Sequence, residues 1–263
     1  MKKSILYWFI AVIITLASVY YQRITGPTHP YSSKVELADE VIRSKLIRTY
    51  AKPGDAEVKI EIKNESISGF YKYKRYPSHD EWTQKEMIRD GDYLIAYIPQ
   101  QPPAGKVMYE IFLKKEDQNV ALSEKPLVIR FRGDVPAWAL IPHIILMFAA
   151  MLFSMRAGIA ALAKEKTFTI SLLTVITLFL GGLIFGPIVQ KFAFGEYWTG
   201  WPFGTDLTDN KTAIAFVFWI IALISAYRNK QHRTWVLVAS IVLLLIYLIP
   251  HSLMGSEIDF TQE

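Results

Sequence analysis

The 263-residue chain has no cysteine. That absence excludes disulfide cross-links, thiolate metal centres, thioether attachment of a c-type haem and cysteine nucleophiles. Any exported domain must hold itself together with an ordinary core. A second shortage is positional. The runs 4–22, 135–155, 167–190, 212–227 and 234–256 contain no Asp, Glu, Lys or Arg. No charge therefore falls at mid-membrane, which counts against an ion pathway in a transporter or channel.

What is present is apolar residue, 52% of the chain, gathered into those runs. Each approaches the ~17–25 residues needed to cross roughly 30 Å of hydrocarbon, with 212–227 the marginal case. The reading is an α-helical polytopic membrane protein of five transmembrane helices with an inserted all-β sandwich. Its parts are an N-terminal anchor (1–23), the sandwich (24–134), a four-helix membrane domain (135–256) with an aromatic loop (190–211), and an acidic tail (257–263). The first run ends in Tyr20-Tyr21-Gln22-Arg23 without an Ala-x-Ala site, so an uncleaved anchor is expected rather than a signal peptide.

Lys and Arg set the orientation. Lys2, Lys3, Arg156, Lys164, Lys166, Arg228, Lys230 and Arg233 flank one set of helix ends. On the other side, Lys191 and Lys211 are offset by Glu196, Asp206 and Asp209. The positive-inside rule then puts the N-terminus in the cytoplasm of a bacterial inner membrane, with sandwich, aromatic loop and C-terminus outside. The net charge of +5 reflects loop anchoring and a basic outer domain, and nothing resembles a nucleic-acid groove. The expected partners are the lipid bilayer and a membrane or periplasmic protein.

Within the polar block, alternation in 57–63, 69–75, 92–98, 106–113 and 126–132 marks strands. With 44–50 and a segment near Trp82–Met87, about seven are expected, punctuated by Pro53-Gly54, Asp90-Gly91 and Pro102-Pro103-Ala104-Gly105. The stretch Trp82…Met87…Gly91-Asp-Tyr-Leu-Ile-Ala-Tyr-Ile-Pro99…Gly105-Lys-Val-Met-Tyr109 resembles immunoglobulin or fibronectin type III modules. In those, a Trp strand and a Val-x-Tyr strand build the core. His29 and His79 read as solvated turn residues, and 71–76 as the alternating faces of one strand. No catalytic constellation is visible in this domain.

The functional interest lies in 194–211, Phe-Gly-Glu-Tyr-Trp-Thr-Gly-Trp-Pro-Phe-Gly-Thr-Asp-Leu-Thr-Asp-Asn-Lys. Tyr197, Trp198 and Trp201 suit a membrane–water aromatic belt. Thr208, Asp209 or Asn210 is expected to cap the next helix, in preference to an incomplete calcium loop. His143 and His251 each follow a proline near the same membrane face, His143 about 7–10 Å inside the boundary at 1.5 Å per residue. Gly195 to Asp206, with the helix that follows, resembles the tryptophan-rich WWD loop of haem-handling membrane proteins of cytochrome c assembly. That resemblance implies b-type haem held by His143 and His251 as iron ligands, with Tyr197, Trp198, Trp201 and Asp206 around it. The alternative is a non-catalytic docking subunit without a cofactor, in which sandwich and loop form one protein-binding surface. An enzyme acting on lipid or glycan through Glu196, Asp206 and Asp209 is the less favoured third reading.

Overall fold

The computed structural model describes residues 2–37, 40–228, 233–250, 255 and 257–262. Two compact units result, one from Met1–Pro27 with Val135–Ser256, the other from Thr28–Asp134 with Glu257–Glu263. The second unit therefore contains the acidic tail as well as the polar block.

The helical unit consists of α1 (Lys2–Thr25), α2 (Ala137–Leu162), α3 (Phe168–Leu178), a π-helical segment (Phe179–Phe185), α4 (Gly186–Phe194), α5 (Leu207–Arg228) and α6 (Thr234–Leu248). The π segment joins α3 to α4 without a break. Among the described residues, four helices are long and apolar enough to cross a membrane: α1, α2, the α3–α4 rod and α5. Helix α5 is longer than the marginal run expected, because its first turn draws Asp209, Asn210 and Lys211 out of the loop. Helix α6 is shorter than expected, with 15 residues against a run reaching 256. Pro250 is the reason: a proline forces the preceding residue out of the helical region, and Ile249 sits at ψ 117°. The helices meet along small residues, including Ala150, Ala157, Ala215, Ala222 and Ala239, around the fully buried Trp219. Packing of that kind suits a bundle in lipid, where close approach replaces the hydrophobic effect.

Among the described residues the β unit has eleven strands where about seven were expected. They are β1 (Tyr31–Leu37), β2 (Glu40–Leu46), β3 (Thr49–Tyr50), β4 (Ala56–Glu61), β5 (Ser68–Arg75), β6 (Thr83–Glu86), β7 (Ile88–Asp90), β8 (Tyr93–Ile98), β9 (Lys106–Lys115), β10 (Gln118–Ala121) and β11 (Leu127–Phe131). One sheet runs β3-β11-β9-β5-β6 with β10 also on β9, a second β4-β8-β7, and β1-β2 form a separate hairpin. The expected strand 44–50 is thus divided between two sheets. Alternation places Val58 and Ile60 of β4, Leu94 and Ala96 of β8, and Val107, Tyr109, Ile111 and Leu113 of β9 in one shared core. That is the sandwich arrangement. Trp82, expected in this core, instead lies 36% exposed just before the edge strand β6, under the ammonium of Lys74. The central aromatic is Tyr109, fully buried, whose hydroxyl donates to the Ile47 carbonyl at 2.7 Å. Burial pushes that phenol well above its usual range.

Candidate functional site

The loop between α4 and α5 has no regular secondary structure, yet its backbone is closely held. Asp206 begins α5: its Oδ1 accepts from the amides of Thr208 (2.7 Å) and Asp209 (3.4 Å), and its carbonyl accepts from Asn210. The helix cap is therefore Asp206, not Thr208, Asp209 or Asn210 as expected. A carboxylate there also complements the positive end of the helix dipole.

Relieved of capping, Asp209 and Asn210 reach back to the loop. Oδ2 of Asp209 accepts from the amides of Thr199 (2.7 Å) and Gly200 (3.0 Å) and from Nε2 of Gln190 on α4 (3.1 Å). Oδ1 of Asn210 accepts from the Trp201 amide at 2.7 Å. Gln190 also donates to Oγ1 of Thr199 at 2.8 Å. Asp206 and Asp209 are both buried. A buried carboxylate is tolerated only when donors replace its water, and here backbone amides do so. Gly200 is required at this point, since a Cβ on it would lie 2.6 Å from Cβ of Asp209.

The pinned segment then turns sharply. The amides of Phe203 and Gly204 both donate to the Gly200 carbonyl at 2.9 Å, and the Asp206 amide to that of Thr199 at 3.0 Å. At the tip, Trp201 and Phe203 flank cis-Pro202 with 78% and 82% of their surface exposed. Trp198 folds back, its indole N–H donating to the Trp201 carbonyl at 3.1 Å. Tyr197 is exposed beneath the ammonium of Lys191.

Lys211, buried one position beyond Asn210, donates to the Ile249 carbonyl at 2.9 Å. Gln22 of α1 donates to the same oxygen at 3.4 Å. The ends of α1, α5 and α6 are thus drawn to one acceptor.

His143 stands apart from the loop residues. Its Nδ1 lies 2.8 Å from the Gly181 carbonyl. That oxygen also receives the Gly186 amide across the π turn. A carbonyl can only accept, so Nδ1 carries a proton, and in the neutral imidazole Nε2 then keeps its lone pair. The imidazole lies beside Gly186, one turn or about 6 Å along α4 from Gln190. Tyr197, Trp198, Trp201 and Asp206 are brought into one loop, whereas His251 lies outside the described residues. No cluster of three or more His, Cys, Asp or Glu forms among the described residues.

Sequence reasoning missed Gln190, Thr199 and Lys211 as members of this site. The only signal was an amide closing one apolar run and a lysine opening another. No protein-family model and no curated protein matches the chain.

Proposed function

We propose that the chain is an accessory or assembly component of a bacterial envelope, working by docking rather than by catalysis. The observation carrying this is the pairing of a locked loop base with an exposed aromatic tip. Trp201 and Phe203 are of the kind that anchors protein interfaces. Asp209 and Asn210 hold them ready, which lowers the ordering cost of association. The carboxylates an enzyme would need are engaged in capping and pinning, which argues against hydrolytic chemistry at Asp206 and Asp209. A membrane or periplasmic protein is the partner in this reading. Affinity isolation from native membranes tests it: Trp201→Ala with Phe203→Ala loses the partner that the parent chain retains. Equal recovery by both refutes it.

The reading includes five crossings of the inner membrane, with N-terminus inside and β unit outside. Two features support it. The cations flanking the ends of α1, α2 and α5 follow the positive-inside pattern. The tail bonds to the β unit, so the chain returns to that unit's side after α2, the α3–α4 rod, α5 and α6. Such a return needs an even number of crossings, and α6 makes the fourth. Its rise is about 22 Å, and a short span is accommodated by local thinning of the bilayer.

A second reading is favoured by one observation, the His143 tautomer. An imidazole that donates from Nδ1 to a backbone carbonyl presents Nε2 as a ligand in the usual oriented way. His143 therefore fits the role of one axial ligand to a b-type haem, with His251 as the other; such a group would supply one-electron transfer. Protein isolated from haem-replete cells then shows a Soret band that His143→Ala abolishes. Absence of the band removes this reading and leaves docking intact.

A further inference from the structure

The tail 257–262 is attached to the β unit by unlike contacts at successive residues. Glu257 pairs with Lys106. The Ile258 amide donates to the Ala104 carbonyl at 3.4 Å, and the Phe260 amide to the Pro77 carbonyl at 3.1 Å. The Phe260 ring is 7% exposed, beneath the Arg75 guanidinium at 4.7 Å. On the receiving side, Arg75 is fixed without help from the tail. Its Nε and Nη2 donate to the two carboxylate oxygens of Asp80 at 2.8 and 3.0 Å. Ser78 ties the same turn, its hydroxyl donating to the Arg75 carbonyl and accepting from the Asp80 amide. A cationic plane is therefore held where an aromatic ring stacks, with a lysine placed for an acidic residue three positions earlier.

We propose that this surface of the β unit, formed by Arg75, Pro77, Ala104 and Lys106, is a peptide-binding site for an acidic-x-x-aromatic segment. Its occupant is the chain's own Glu257-Ile-Asp-Phe260. The tail is a latch, not a passive extension. It is separate from the aromatic loop and does not depend on the docking reading. Seven residues, 250–256, separate it from the Ile249 carbonyl that Lys211 and Gln22 hold. An external segment of like chemistry that displaced Phe260 would release the tail from the β unit.

A short tether supplies an effective concentration on the order of millimolar, so a latch closed nine-tenths of the time requires a peptide Kd of about 0.1 mM or tighter. The test uses a fluorescent peptide of residues 257–263, with the full chain and a chain ending at residue 256 in nanodiscs. Saturable binding to the shortened chain, about tenfold or more weaker binding to the intact one, and at least tenfold weaker binding of the Phe260→Ala peptide are expected. No saturation of the shortened chain by 1 mM, or equal binding to both chains, overturns the proposal. Should the shortened chain misfold, amide exchange in the intact protein decides. Ile258 and Phe260 exchange at least tenfold slower than in the free peptide, and Arg75→Ala abolishes the difference. Free-peptide rates in the intact protein refute the latch.

Discussion

Two ends of the helical unit bury charge, and they do so by different means. At the loop end, the Asp209 carboxylate is surrounded by amides of Thr199 and Gly200 and the Gln190 side chain. At the α2–α3 turn, Arg156 is equally buried. It has one carboxylate, with Nη2 donating to Oε2 of Glu165 at 2.9 Å, and the ring faces of Tyr7 and Trp8 at 5.5 and 5.7 Å. Its Nε and Nη1 have no hydrogen-bond partner among the described residues. The difference is one of consequence. Meeting a carboxylate with backbone amides dictates the path of the chain that supplies them, so the loop gains a shape. Meeting a guanidinium with ring faces dictates only side-chain packing. Arg156 is a local anchor, whereas Asp209 builds a surface.

That contrast is open to direct attack. Asp209→Ala has the largest expected effect, because it leaves the amides of Thr199 and Gly200 without their acceptor and takes from the Gln190 side chain one of its two. A loss of about 3–5 kcal/mol follows, read as a lower unfolding midpoint and new chymotryptic cleavage after Phe203. Gly200→Ala drives a methyl into Asp209 and costs about 1–3 kcal/mol, with the same cleavage pattern; an unchanged pattern would show that the loop is not held there. Arg156→Leu changes the midpoint by about 1 kcal/mol or less, since replacing a buried ion by an apolar group is often near neutral. It leaves loop proteolysis untouched. A loss as large as that of Asp209→Ala would erase the distinction between the two ends.

The smallest effect falls in the β unit. Hydrogen bonds from Arg75 hold the Asp80 carboxyl below its usual range. A depressed folded-state pKa gives stability that is present above the unfolded value of about 3.9 and is lost as pH falls through the lower folded value. The pair is solvent-accessible, so the contribution is a few tenths of a kcal/mol. Asp80→Asn should cost that amount at neutral pH and nothing well below about pH 4, flattening acid unfolding accordingly; a difference from the parent chain that is largest in acid and vanishes at neutral pH would contradict the assignment.

How much of this was legible depends on whether the signal was periodic. Hydrophobic runs and alternation located the helices and β4, β5, β8, β9 and β11, because burial on one face repeats along the chain. The hairpin of β1 and β2 escaped, apart from the overlap of 44–50 with the end of β2. The edge strand β6 falls within the segment expected near Trp82–Met87, although its four residues are exposed and carry no alternation. The aromatic loop was visible from composition, but not its internal wiring. Asp206, Asp209 and Asn210 are all acceptable caps by residue type. Which of them caps depends on where Thr199 and Gly200 return in space. The tail was read as acidic and nothing more. Its single aromatic, Phe260, gains meaning only once β5 and its following turn bring Arg75 and Pro77 alongside.

The central claim is that a carboxylate-pinned loop presents Trp201 and Phe203 as a preformed docking tip. Photo-cross-linking from a benzoylphenylalanine at position 203 in native membranes, with Asp209 intact and in an Asp209→Ala background, tests it most directly. A discrete protein adduct with Asp209 present, lost or dispersed without it, is the predicted result. Adducts to lipid alone, or the same protein adduct in both backgrounds, would contradict the account.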